Sequence, residues 1–179
     1  ARLAQRHPKL RVVVPAIRAE ADRVRAIAAG WALPQPAVVV ATAVERRDAF
    51  AAGDLALAAS GTVTLELARQ SVPMVVVYRI NPLTYSIARR LVTVRHVSLV
   101  NLVMDREIVP ELIQDKATPD DMVRTLTPLI ERADLRDAQR ADLAEALSRL
   151  RGPADDPARP SARAARVVLD LASRRLESA

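Results

Sequence analysis

The run Ser60-Gly61-Thr62-Val63-Thr64-Leu65-Glu66 brings together the parts of an anion site. A small-residue turn between an apolar run and a helical pattern leaves backbone N–H groups free at the positive end of a helix dipole, where phosphate is attracted. Ser60 or Thr62 can cap that helix, and Gly61 lets the backbone come close to a ligand. Glu66 follows one turn later, where a carboxylate can accept two hydrogen bonds from a ribose diol, as the acidic residue of dinucleotide sites does. By spacing alone, the same run is equally a tight strand-to-helix turn with no ligand. Arg79 follows the apolar run 74–78, at the strand end where α/β sheets bind ligands. It can neutralise a diphosphate or join an ordinary ion pair.

Other polar residues read as structural. Asp48 and Asp54 stand at element ends and are expected to be surface caps instead of an acid–base pair. His7 and His96 are too few and too far apart for a zinc site, and His96 has no acid or nucleophile near it in sequence. There is no cysteine, so thiolate metal sites and disulfides are excluded. Trp31 and Tyr85 are expected as core or rim aromatics.

These residues need a scaffold, and the pattern supplies one. Apolar, β-branched runs at 10–15, 37–41, 55–59, 74–78 and 97–99 alternate with helical patterns. The runs are apolar throughout, as parallel strands covered on both faces by helices must be. A helical stripe of Ile17, Val24, Ile27 and Ala28 stops at Gly30, and a shorter helix at 48–52 stops at Gly53. Further helices are expected at 62–70 and 82–92. This alternation predicts an α/β fold, a Rossmann-like doubly wound parallel sheet. After Glu111 strands are expected to cease. Thr118 is placed to cap a helix with Pro119 at its first position and acids in its first turn, and Met122, Leu126, Leu129 and Ile130 on one face. Another helix is expected at 135–150. Residues 151–160, with three prolines and a glycine, read as a linker to a last helix from Ser161, striped by Ala165, Val168, Leu169, Ala172 and Leu176. The organisation expected is thus a binding domain at 1–117, packed helices at 118–150, the linker, and a helical C-terminal tail at 161–179.

At 179 residues, half of them apolar, the chain can bury one substantial core. The net charge of +6 is almost wholly arginine. It is not gathered into a run, and aromatic stacking platforms are scarce, so nucleic acid is not expected as a partner. No apolar run reaches the roughly 18–20 residues that span a bilayer, and no charged-then-apolar leader opens the chain, so a cytosolic location is expected. The 82–92 segment sets Leu83, Ile87, Ala88, Leu91 and Val92 against Arg89, Arg90 and Arg95. It reads either as a core-packed helix with a basic solvated face or as a contact for anionic lipid headgroups.

Several words taken in order carry a resemblance. They are Ser60-Gly61-Thr-x-Thr-Leu-Glu66; Val72-Pro73-Met74-Val75-Val76-Val77-Tyr78-Arg79; Pro82-Leu83-Thr84; Ala88-Arg89-Arg90-Leu91-Val92; Val97-Ser98-Leu99-x-Asn101-Leu102; and Arg106-Glu107-Ile108-Val109-Pro110-Glu111-Leu112. Together, densely over 54–114, they resemble the lipid-A-disaccharide synthase family, whose glycosyltransferases are of the GT-B type. The resemblance implies the C-terminal, nucleotide-binding half of such an enzyme. It implies transfer of diacylglucosamine from UDP-2,3-diacylglucosamine to 2,3-diacylglucosamine 1-phosphate with inversion, and no metal or other cofactor. It implies donor contacts from Ser60, Gly61, Thr62, Glu66, Arg79 and Asn101, with Arg106 and Glu107 either meeting the ligand or pairing with each other. Asn101 has the alternative of an Asx turn. The catalytic base and most of the acceptor surface would lie in an N-terminal domain absent from these residues, so no catalytic residue is assigned here and the half alone is expected to be inactive. It further implies a cytoplasmic protein in peripheral contact with the inner membrane, and a terminal helix left to seek a partner, as in a homo-oligomer. The alternative is a non-catalytic nucleotide-binding or interaction module derived from such an enzyme. Met104-Asp105 stands where the family has a small residue and glycine.

Overall fold

The structure is a computed structural model and describes residues 2–59, 61–81, 96–151 and 160–177. A short helix α1 (Arg2–Arg6) precedes β1 (Val13–Pro15), α2 (Ala21–Ala29), β2 (Val38–Val40), α3 (Ala43–Ala51), β3 (Ala56–Ala59), α4 (Val63–Arg69) and β4 (Met74–Tyr78). Then come α5 (Leu99–Met104), β5 (Glu111–Ile113), α6 (Pro119–Glu131), α7 (Ala133–Arg151) and α8 (Pro160–Glu177). Every strand pairing is parallel: β1 with β2, and β3 with β4 with β5. This is the expected Rossmann-like α/β architecture with a helical C-terminal tail.

The centre is β4, and its alternation shows why both faces are dry. Successive strand residues point to opposite faces. Met74 and Val76 enter a cluster with Leu67 and Ala68 of α4, Val100 and Met104 of α5, and Leu143 and Ala146 of α7. Val75 enters a second cluster with Leu112 of β5 and Leu126 and Leu129 of α6. Met74, Val75 and Val76 are fully buried. A strand sandwiched this way has no polar face to alternate with, which is why it reads as a continuous apolar run.

The helix starts follow local chemistry. Thr42 and Glu45 form a capping box that starts α3 five residues before the expected 48–52 helix, with Thr42 Oγ1 accepting from the Glu45 N–H at 3.1 Å. Thr118 caps α6 by accepting from the Asp121 N–H at 3.1 Å, with Pro119 at the first helical position, as the sequence predicts. Two expectations are corrected. The run 97–99 is not a strand: Ser98 accepts from the Asn101 N–H and caps α5, so the apolar residues that follow belong to a helix. Strands also do not cease after Glu111, because Glu111–Ile113 forms β5 beside β4. The expected 82–92 helix and residues 152–159 of the expected linker lie outside the described residues.

Candidate nucleotide site

Three neighbouring strands deliver the site. Ala59 of β3 pairs with Val77 of β4, and Tyr78 of β4 pairs with Ile113 of β5. Extending that register puts Gly61, Arg79 and Gln114 side by side just beyond the C-terminal ends of three parallel strands. That edge is where open α/β sheets form their ligand crevices.

Gly61 has φ +127, a backbone conformation closed to most side chains, and it turns the chain from β3 into α4. Its carbonyl accepts from the Thr64 N–H at 3.2 Å and from the buried Thr64 hydroxyl at 2.8 Å. Thr62 occupies the cap position of α4 but is in the right-handed helical region and makes no side-chain cap bond. The Thr64 hydroxyl braces the turn by donating to the Gly61 carbonyl, which is not a cap, and the Thr62 side chain is left exposed. Ser60 lies outside the described residues. Glu66 is the fourth residue of α4 and stands 3.7 Å from Arg46 of α3, both side chains being partly exposed. In the turn just before Arg46, Glu45 is held below its ordinary carboxylate value by the backbone N–H of Thr42, then by its hydroxyl and the N–H of Ala41. Arg79 is exposed and makes no ion pair among the described residues.

Of the other carried-over residues, Asn101 and Arg106 are engaged in contacts within the fold. Asn101 is wholly buried and every bond its amide can make is made. Its Oδ1 accepts from the Ile108 and Val109 N–H groups at 2.8 and 3.0 Å, and its Nδ2 donates to the Val109 carbonyl and to Glu111, both at 2.8 Å. This is neither an Asx turn nor an open donor: the residue ties α5 to the chain entering β5. Glu111, which sequence reasoning did not single out, accepts from the Val97 and Ser98 N–H groups at 2.9 and 2.8 Å as well. Arg106 does not pair with Glu107. It forms a two-pronged bond to Asp142 of α7, at 2.5 and 3.2 Å, which raises its pKa. One turn back on α7, Gln139 accepts at 2.5 Å from the N–H of Met74, the first residue of β4. Arg106 is thus at the edge where strands begin, opposite Gly61, and Glu107 is exposed beside it. Asp105, standing where the family's glycine is expected, takes the left-handed conformation with φ 50 at the end of α5, at that same far edge.

Asp48 and Asp54 are exposed, and Asp48 lies 3.5 Å from Arg47. Trp31 borders two shallow concavities with Leu33, neither of which includes a candidate site residue. Among the described residues no group of three or more His, Cys, Asp or Glu is placed to hold a metal, and no helix is long and apolar enough to cross a membrane.

The family described as lipid-A-disaccharide synthetase matches residues 1–163, which is nearly the whole chain. The chain belongs to the lipid-A-disaccharide synthase family. It is 42% identical over 174 residues to the lipid-A-disaccharide synthase of Rhodospirillum centenum, covering 97% of this chain and 42% of that protein. Its likeness to the enzyme of Gluconobacter oxydans is 40% over 169 residues, covering 94% and 40%. To that of Salmonella paratyphi B it is 37% over 174 residues, covering 95% and 43%. The chain therefore spans less than half the length of these lipid-A-disaccharide synthases, which the name of the family marks as glycosyltransferases.

Proposed function

We propose that the chain is the donor-binding half of a lipid-A-disaccharide synthase. In this reading it holds UDP-2,3-diacylglucosamine while diacylglucosamine passes to 2,3-diacylglucosamine 1-phosphate with inversion. One observation carries the reading: within a family-matched chain, a glycine at φ +127 turns the end of β3 into a helix that presents Glu66 one turn later. Gly61 and Thr62 approach the diphosphate through the backbone, Arg79 neutralises it, and Glu66 holds the ribose. The charge that grows on the departing UDP is then met by the Arg79 guanidinium and by the N–H groups of the turn. With Arg79 supplying the positive charge, the reading calls for no metal. Asn101 and Glu111 enter as positioning residues for the chain at 97–101. Arg106 and Glu107 take no part in holding the donor. The base that activates the acceptor is not among these residues, and acylated substrates would bring the enzyme to a membrane surface.

The test is calorimetric titration of the chain with UDP. Binding is expected, and Glu66→Ala is expected to weaken it by roughly 1–3 kcal/mol, the scale for bonds to a charged group. Equal affinity in the two proteins removes Glu66 from the ribose.

A further inference from the structure

The pairing of β4 with β5 ends just where the candidate site begins. Tyr78 and Ile113 are their last paired residues, and beyond them the ladder has no further rung. One side chain replaces it. Gln114 donates Nε2–H to the Ile80 carbonyl at 3.1 Å, and its Oε1 accepts from the Ile80 N–H at 2.9 Å. A primary amide facing a peptide group in this two-way manner satisfies both polar groups of Ile80, as an adjoining strand would.

A second observation concerns the backbone of the same residue. Gln114 has φ 50, left-handed, a conformation that is costly for a residue with a side chain. Glycine would adopt it freely and lose the two bonds. Strain of this kind persists where the surroundings over-determine it, and it concentrates at functional sites. The residue that Gln114 grips directly follows Arg79, which is exposed at the end of the central strand. An exposed arginine carries about 2 kcal/mol of rotamer entropy. Fixing the backbone beside it limits where its guanidinium can reach.

We propose that Gln114 is the positioning residue for Arg79, setting the guanidinium over the Gly61 turn and so tuning affinity for the diphosphate of a nucleotide. The inference depends on the reading of Arg79 as a diphosphate contact.

The experiment is calorimetry on the full chain with UDP and with uridine, for Gln114→Gly, Arg79→Ala and the double variant. Gln114→Gly relieves the backbone strain while removing the clamp, so the fold should survive, as a melting curve verifies. It is expected to weaken UDP roughly threefold or more while leaving uridine unchanged. The double variant is expected to match Arg79→Ala alone, because a positioning residue has nothing to position once the arginine is gone. Equal losses for both ligands, additive losses in the double variant, or no loss for UDP while Arg79→Ala weakens it would overturn the role of Gln114. Unchanged UDP binding in Arg79→Ala, or no UDP binding by the unsubstituted chain, would overturn the reading of Arg79 and the inference with it. If Gln114→Gly fails to fold, Gln114→Met removes both bonds to Ile80 without adding a charge beside the site; the same ordering of the ligands is then required.

Discussion

Glycine is needed at position 61 for its backbone and not for room. A Cβ built there meets no atom of the described residues within 4 Å, its chain neighbours aside, yet φ +127 is a conformation that residues with a Cβ rarely adopt. Gly61→Ala is therefore expected to cost about 1–3 kcal/mol of stability through the turn alone, measured by denaturant unfolding. UDP affinity should fall too, since a relaxed turn no longer holds its N–H groups toward the crevice. Unchanged stability and binding would show that the turn tolerates a second shape. What was legible in the sequence is where these residues stand: Gly61 and Arg79 just past apolar runs that form strands, and Glu66 one turn into the helix that follows Gly61. Gln114 and Glu111 were not legible. Their bonds reach 34 residues back to Ile80 and 14 residues back to Val97, and a single sequence holds no signal for pairing at such separations. Asn101 lies between these cases: a family word points to it, but only its burial and four internal bonds show that it works by bracing two backbone segments.

At the scale of elements, the strongest apolar run gave β4 its residues without adjustment, because a strand buried on both faces is the least ambiguous pattern in such a fold. Short runs were harder. Val97-Ser98-Leu99 has the composition of a strand, but the Ser98 cap decides for a helix, and β5 has only three residues, one of them Glu111. The end of α4 shows local chemistry accepted at a cost. The N–H of Ser71 bonds to the Ala68 carbonyl at 2.9 Å and that of Val72 to the Leu67 carbonyl at 3.1 Å, the double closure of a Schellman cap. The left-handed residue of that cap is normally glycine, and here Ser71 holds it at φ 55. Its carbonyl also accepts from Arg140 Nε at 3.2 Å, a bond that the backbone makes and that glycine would keep. Ser71→Gly is thus expected to stabilise the chain by about 0.5–1 kcal/mol, the left-handed cost relieved less the extra freedom of glycine when unfolded. A thermal melt should register a rise of about 1–4 °C. A fall would mean that the serine side chain makes a contribution its exposed position does not suggest.

For the whole molecule the open matter is the tail. The elements from α3 to α7 are knit together by the two clusters about β4 and by α7 against α4, α5 and α6, and the ion pair of Arg2 with Asp120 ties α1 to α6. The last helix shares little of this. Val168 and Leu169 of the expected stripe are 65% and 64% exposed, and Val167 and Leu171 beside it are 59% and 61% exposed. Ala165 and Ala172 of the expected stripe are exposed as well. Turning one flank of an amphipathic helix to water forgoes the burial that stabilises most helices, and a contiguous apolar strip of this sort calls for a partner surface. Two outcomes are compatible with that arrangement in solution: the strip is covered by another copy of the chain, or α8 frays. The full chain is accordingly expected either to sediment as a concentration-dependent oligomer or to lose its tail to limited proteolysis, whereas a chain ending at Leu150 should be monomeric and resistant. Monomers in both cases, with a protease-resistant tail, would place α8 against its own domain and leave the exposed strip without consequence.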